Sequence, residues 1–284
     1  MIKDMSEIRV AAWNMLNALG DPSRVLPAYK LLMQSDAAVI QLGETAEAKD
    51  LDGEIYAASL ALLSGAGFRL ATANVSDQLG VRSNHGIAML VREDVELRSL
   101  KTVQTGERNG MLTRIGKDAV EWAFGGVLLP DYSADQRVRG VFDMHEALGG
   151  SEVAVMMGDF NDMHPKSVRA MLARTAGRIE AALPGEVSDY YESKGLERKR
   201  GLVQRLGSMA EGRAIMTAMA LGYRCVDPAD HTTIGSGPFA FGLDHIFVSP
   251  GVESSEFTRY DRRGQNGHNL SDHHMVAATL HYTA

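Results

Sequence analysis

The chain has 284 residues, 45% hydrophobic and 23% charged, enough to bury one large core or two small ones. Its formal net charge of -7 argues against a broad nonspecific grip on nucleic acid, which needs positive surface. No apolar run approaches the roughly 18 residues of a membrane span. The opening Met1 to Glu7 lacks the basic-then-apolar order of a signal peptide, and the single Cys225 excludes an internal disulfide. Both point to a reducing, cytoplasmic setting.

In chain order, Ile8 to Asn14 reads as a first strand. Asp21-Pro22-Ser23 starts a helix that runs to Ser35, with Val25, Leu26, Tyr29, Leu32 and Met33 at helical spacing. Ala37 to Glu44 is a second apolar strand closing on a carboxylate, and Asp50 to Ser64 is helical, ended by Gly65 and Gly67. Phe68 to Val75 and Gly86 to Val91 read as paired strands, with Val95 to Leu100 next. Gly110 to Ile115 and Ala119 to Ala123 form a hairpin turned at Gly116-Lys117-Asp118. Gly125 to Pro130 is a separate short strand stopped by proline, and Ser133 to Leu148 is a helix.

Val153 to Met157 is an apolar run of buried-strand length, and it delivers Gly158-Asp159-Phe160-Asn161 to its end, with Asp162 and His164 close behind. Pro165 to Leu221 reads as mostly helical and holds the basic run Glu197-Arg198-Lys199-Arg200. Strands return at Tyr223 to Val226 and Leu243 to Val248, and the chain ends with Ser271-Asp272-His273-His274 before an apolar strand, Met275 to Leu280. Helices between strands in each half, with hairpins mixed in, suggest two packed sheets with helices outside, in a single domain over 1–284.

Five strand edges carry oxygen or imidazole groups: Asn14; Glu44; Asp159 with Asn161; Asp244 with His245; Asp272 with His273 and His274. Strand ends are where loops shape a site, so the set suggests one catalytic rim. Carboxylate and amide oxygens suit a hard divalent cation, Mg²⁺ or Mn²⁺, and such a rim allows metal-assisted phosphoryl transfer to water. Glu44 fixes the cation, with Asn14 or Asp272 near it, and Asp159 deprotonates or orients the water. Asn161 holds a nonbridging oxygen, while a His backed by an Asp acts as base or binds the phosphate, depending on its protonation.

The ordered motifs resemble the endonuclease/exonuclease/phosphatase superfamily, the fold of deoxyribonuclease I and the apurinic endonucleases. Trp13-Asn14 is similar to its first-strand asparagine, Ile40-Gln41-Leu42-Gly43-Glu44 to its glutamate segment, and Asn84 to Leu90 to its glycine-led third segment. Gly158-Asp159-Phe160-Asn161 matches the Gly-Asp-Phe-Asn signature in full. Thr232-Thr233, Leu243 to Val248 and Ser271-Asp272-His273 resemble the late threonine, the Leu-Asp-Tyr-Ile-type strand and the terminal Ser-Asp-His motif.

The resemblance spans about Ile8 to Leu280. It implies an α+β fold, a four-layer α/β sandwich of two packed mixed β-sheets flanked by helices. It also implies a metal-dependent hydrolase of phosphate esters. Glu44, Asn14 and Asp272 would serve the metal. His273, Asp159, Asn161 and Asp244 would serve catalysis, Asp244 as a brace. Asn14, Asn161, His273 and Thr232 would serve substrate binding.

The sequence departs from that pattern twice. Gly43 stands where the family has Gln, and Leu128 takes the place of a His, or of a Tyr in the apurinic branch. A leucine can neither protonate a leaving group nor bind a phosphate oxygen, so either the leaving group is good or His85, Tyr132 or His164 reaches in. The scarcity of basic loops outside Arg198-Lys199-Arg200, Arg259 and Arg262-Arg263 leans toward a small-molecule or single-stranded substrate. A noncatalytic or specialised relative that keeps the metal site to bind a ligand is the alternative reading. No partner protein and no membrane attachment are indicated.

Overall fold

The computed structural model describes residues 5–46, 53–75, 85–164, 208–227, 232–234, 242–263 and 269–283. One sheet takes β1 (Met5–Asn14), β2 (Val39–Gly43), β3 (Phe68–Val75), β4 (His85–Arg92), β11 (Val252–Tyr260) and β12 (Met275–Thr283). The other takes β5 (Glu96–Thr105), β6 (Arg108–Lys117), β7 (Val120–Leu128), β8 (Val153–Asp159), β9 (Arg224–Cys225) and β10 (Asp244–Val248). Their spatial orders are β11-β12-β1-β2-β4-β3 and β5-β6-β7-β8-β10-β9. Each is mixed: β1 and β2 run parallel, as do β7 and β8, while the remaining pairings are antiparallel.

Strand alternation explains the layers. Along β1, Val10 and Ala12 face the other sheet, while Ala11 and Trp13 face outward. Along β8, Val155 and Met157 face inward, and Ala154 and Met156 outward. Helices α1 (Pro22–Gln34) and α2 (Glu54–Gly65) cover the first sheet through Leu31, Leu32, Tyr56 and Leu63. Helices α3 (Ala134–Leu148) and α4 (Arg213–Ala220) cover the second through Val141, Met144, Ala214 and Ile215. The result is the expected four-layer α/β sandwich.

One local expectation changes, and two further features appear. Ala119 to Ala123 and Gly125 to Pro130 are not separate strands but one continuous β7. Gly125 and Gly126 are there for space rather than for a break: added Cβ atoms would lie 2.4 Å from the Met144 sulfur and 2.8 Å from Gln41 Cγ. Gly106-Glu107 is a tight turn between β5 and β6, with Gly106 at φ +64°. The polar strand β11 had no apolar alternation to reveal it; it pairs along β12 with a bulge between Ser255 and Thr258. Arg198-Lys199-Arg200 and most of Pro165 to Leu221 lie outside the described residues, as does the His85 side chain.

Gly158 is the glycine that the site depends on. Its φ is +134°, and a Cβ there would sit 2.1 Å from the Val127 carbonyl oxygen. Gly158→Ala is therefore expected to lower the free energy of unfolding by about 3 kcal/mol or more, combining backbone strain with overpacking. The urea midpoint of the variant measures this; an unchanged midpoint would contradict the packing just described.

Candidate active site

The register of the central strands brings the chemistry together. β1 and β2 are parallel, with Asn14 beside Gly43, so Asn14 and Glu44 emerge from the same end of the first sheet. Across the sandwich, Asp159 at the end of β8 pairs in register with Asp244 at the start of β10. His273 arrives just before β12, the antiparallel neighbour of β1. Asn14, Asp159, Asp244 and His273 are all at most 5% exposed.

The Asn14 amide holds two carboxylates. Its Nδ2 donates to Glu44 Oε1 at 3.1 Å and to Asp159 Oδ2 at 2.9 Å, while its Oδ1 accepts from the Leu16 N–H at 3.1 Å. In this orientation the Asn14 amide nitrogen is a donor that joins the two sheets. Glu44 and Asn161 adopt left-handed backbone conformations, φ 46° and 47°. Such backbone is uncommon for residues other than Gly, Asn and Asp, and here it aims both side chains at the rim. The Asn161 N–H donates to Asp159 Oδ1 at 2.8 Å, and its Nδ2 donates to the Leu129 carbonyl at 2.7 Å.

His273 is set by three contacts. Its Nδ1 lies 2.6 Å from Asp244 Oδ2, its N–H donates to Ser271 Oγ at 2.9 Å, and its carbonyl accepts from Trp13 Nε1 at 3.1 Å. Burial opposes the charged imidazole, but the Asp244 carboxylate, with Asp159 and Asp272 beyond it, outweighs burial and lifts His273 to about 10. Burial likewise acts against the Asp244 carboxylate, yet His273 outweighs it and holds Asp244 below its ordinary range. Asp159 goes the other way. Burial, with help from the Asp244 charge, pushes it up to about 7 against the pull of His273, Asn14 and Asn161. At neutral pH the geometry thus contains an imidazolium–carboxylate pair beside a carboxyl group poised near its titration point.

The remaining expected residues divide. Asp272 stays at the rim, its side chain 47% exposed and its Oδ1 3.9 Å from His273 Nε2. Thr232 is directed elsewhere, its hydroxyl accepting from Arg259 at 2.7 Å. The neighbouring Thr233 takes the site position instead: it is fully buried, and its Oγ1 accepts from the Leu243 and Asp244 N–H groups at 2.9 and 3.2 Å. Tyr132 donates to Glu107 at 2.9 Å, and His164 is half-buried just past the Asp159 loop. Leu128 is 1% exposed and belongs to the core between the sheets. Its Cδ1 lies 3.6 Å from where a Gly43 Cβ would stand, and Gln41 Nε2 lies 3.7 Å from that point, so the two departures from the family pattern meet in space.

Trp13 and Ser271, quoted above only as neighbours of Asn14 and His273 in their motifs, support the site directly, and Arg108 joins them from outside the motifs. Arg108, at the start of β6, is 5% exposed and donates from Nη1 to the carbonyls of Leu128 and Leu129 at 3.4 and 3.0 Å. Among the described residues its Nε has no hydrogen-bond acceptor. The Leu129 carbonyl also receives Asn161, so a buried guanidinium and the Asn161 amide share one acceptor. In sequence Arg108 lies in Gly106 to Gly110, a stretch that reads equally as a substrate loop or a plain turn.

Two groups of His, Cys and Asp side chains could take a metal among the described residues: Asp159, Asp244 and His273, and separately Cys225, Asp227 and His245. The donors suit the hard cation the family implies. Glu44 and Asp159 are oxygen donors gathered on one amide at a strand end, with Asp272 at the rim.

Two mixed sheets packed face to face between helices, with oxygen and imidazole groups at one end, define the deoxyribonuclease I-like sandwich. The chain belongs to the endonuclease/exonuclease/phosphatase family, whose model matches residues 11–273. Solved structures share the fold. A family member from Bacteroides thetaiotaomicron superposes with a TM-score of 0.63 at 14% identity, covering 99% of each chain. The human Nocturnin catalytic domain with bound sulfate gives 0.61 at 14% identity, covering 98% of this chain and 96% of that one. D. rerio TDP2 complexed with a single-strand DNA product gives 0.59 at 12% identity, covering 96% and 98%. No curated protein matches the chain.

Proposed function

We propose that the protein is a divalent-metal-dependent phosphoesterase acting on a phosphodiester or phosphomonoester. The observation that carries this reading is the Asn14 amide joining Glu44 and Asp159, opposite a His273–Asp244 pair at 2.6 Å. Glu44, with Asp272 at the rim, would hold Mg²⁺ or Mn²⁺, and the bound cation would supply Lewis-acid screening of phosphate oxygens. His273, kept protonated by Asp244, donates from Nε2 to a phosphate oxygen and stabilises the charge that develops there. Asp159 orients the attacking water and takes its proton. Asn161 has a second Nδ2 proton for a nonbridging oxygen.

The substrate class is read from the position that Leu128 occupies. With Leu128 buried in place of an imidazole, the leaving group departs with little proton assistance from that strand. A small-molecule ester or a single-stranded nucleic acid with a good leaving group fits this best. The structural likeness to D. rerio TDP2, solved in complex with a single-strand DNA product, supports the latter as a test substrate. We place the enzyme in the cytoplasm on its single cysteine.

The test is hydrolysis with Mg²⁺, Mn²⁺ or EDTA over single- and double-stranded DNA, RNA, abasic duplex, nucleotides and bis-p-nitrophenyl phosphate. Glu44→Ala and His273→Ala are run beside the wild type. Metal-dependent turnover lost in both variants is the expected result. No turnover on any substrate, with metal binding intact, would overturn it in favour of a ligand-binding relative.

A further inference from the structure

Asp244 and His245 are adjacent on β10 and face opposite ways. Asp244 shares the inner face with Ile246, whereas His245 shares the outer face with Phe247 and makes an edge contact with Phe160. Behind the catalytic rim, His245 Nδ1 lies 2.7 Å from Asp227 Oδ2, and Cys225 Sγ lies 3.3 Å from the same oxygen. We propose that Cys225, Asp227 and His245 form a second metal site, for a zinc-class divalent cation, that clips the edge strand β9 to β10.

The donors differ in kind from those at the rim. Thiolate, imidazole and carboxylate together select a borderline-soft ion, whereas Glu44 and its neighbours offer oxygen alone. Spacing fits as well. Ligand bonds of about 2.0–2.3 Å at tetrahedral angles put donors roughly 3.3–3.7 Å apart. The sulfur–oxygen separation already matches, and the nitrogen–oxygen separation needs to open by about half an ångström once its bridging proton leaves. The three donor atoms lie within 4.8 Å of one another.

The imidazole is also oriented as a ligand. His245 Nε2 lies 3.2 Å from the Asp162 carbonyl oxygen, which can only accept, so Nε2 carries a proton and Nδ1 faces the cluster. A ligating histidine that donates its other N–H to a backbone carbonyl is the usual outer-shell arrangement of such sites. Charge balances on both sides of the exchange. Without metal, both His245 nitrogens face acceptors, so an imidazolium sits against the Asp227 carboxylate and a neutral thiol. Burial, reinforced by Asp227, holds that thiol protonated. Binding M²⁺ releases one proton from Sγ and one from Nδ1, leaving thiolate, carboxylate, neutral imidazole and dication with the same net charge of zero. Cys225 is only partly buried, the most solvent-accessible of the three.

The site has work to do in the fold. β9 has only two residues, Arg224 and Cys225, paired with Val248 and Phe247. Through Nε2–H the clip reaches Asp162, whose side chain accepts from the Ala214 N–H at 2.7 Å and follows the Asp159–Asn161 loop directly. The clip would therefore brace the back of the active site.

The experiment is to strip the full-length protein with a chelator and titrate it with Co²⁺ and then Zn²⁺. One equivalent of Co²⁺ should produce a thiolate-to-cobalt charge-transfer band, which Zn²⁺ then abolishes. Cys225 is the only cysteine in the chain, so in the wild type that band has a single source. Zn²⁺ should also slow alkylation of the thiol at least tenfold. Cys225→Ala should lose the band, while Asp159→Asn keeps it, which separates this site from the rim. Cobalt binding without the band, a band that survives Cys225→Ala, or alkylation indifferent to Zn²⁺ would each overturn the proposal. None of these readings depends on catalytic turnover.

Discussion

Replacing Asp244 with asparagine is expected to lower kcat by about 10²–10⁴-fold, the usual range for losing a positioned proton-bearing group, with KM nearly unchanged. The carboxylate touches His273 at 2.6 Å and braces it from behind, so its loss removes charge that matters in the transition state more than in binding. Without Asp244, burial becomes the dominant influence on the imidazole, and His273 should be neutral at neutral pH. The ratio of variant to wild-type activity should then rise as pH falls and the imidazole regains its proton, while protonation of the Asp159 base lowers both on the acid side. A uniform loss with an unchanged pH profile would sink the imidazolium role.

The same pair makes a thermodynamic prediction with a definite sign. His273 titrates at about 10 in the folded protein against an ordinary 6.5, so folding favours its protonated form. Its contribution is fully present below 6.5 and is lost as pH rises through about 10. In EDTA the wild-type urea midpoint should fall across that window, with the lost stability on the order of a few kcal/mol. Asp244→Asn should flatten the decline. Asp244 itself, depressed when folded, stabilises above its unfolded value and stops doing so only as pH falls through its folded one. It does not confuse the alkaline limb.

Much of this was legible in sequence because the chemistry sits at strand ends. An apolar run closing on Glu44 or on Asp159-Phe160-Asn161 declares both the strand and the point where it stops. The order of those ends along the chain carried the family and the four-layer fold. What stayed hidden needed distance. Nothing in Thr232-Thr233 says which hydroxyl turns inward; that is decided by Thr233 accepting from the first two N–H groups around the start of β10. Nothing local distinguishes Gly125-Gly126 from a turn, because their reason lies in Met144 and Gln41 on other elements. Arg108 reads as part of a substrate loop or a plain turn until its guanidinium is found against the Leu128 and Leu129 carbonyls. The polar β11 is an edge strand paired along β12 and anchored by Val252, Phe257 and Tyr260, without apolar alternation to betray it.

Leu128→His should change which esters the enzyme can cleave. Leu128 pairs in register with Asp159, yet its side chain is buried against the space over Gly43, so no titratable group projects from that strand end. Wild-type rates on a series of aryl phosphodiesters should therefore fall steeply as the leaving group becomes more basic. An imidazole at this position has room to emerge only because Gly43 carries no side chain. If it can donate a proton, hydrolysis of the poorest leaving groups should rise by about 10²-fold, the lower end of general-acid assistance, while the best ones change little. The slope of log kcat against leaving-group pKa should flatten accordingly. Burying an imidazole where a leucine packs costs roughly 1–3 kcal/mol, so a lower urea midpoint is expected alongside the gain. A shallow slope in the wild type would mean that another group already protonates the leaving oxygen, and the restriction to good leaving groups would then have to be abandoned.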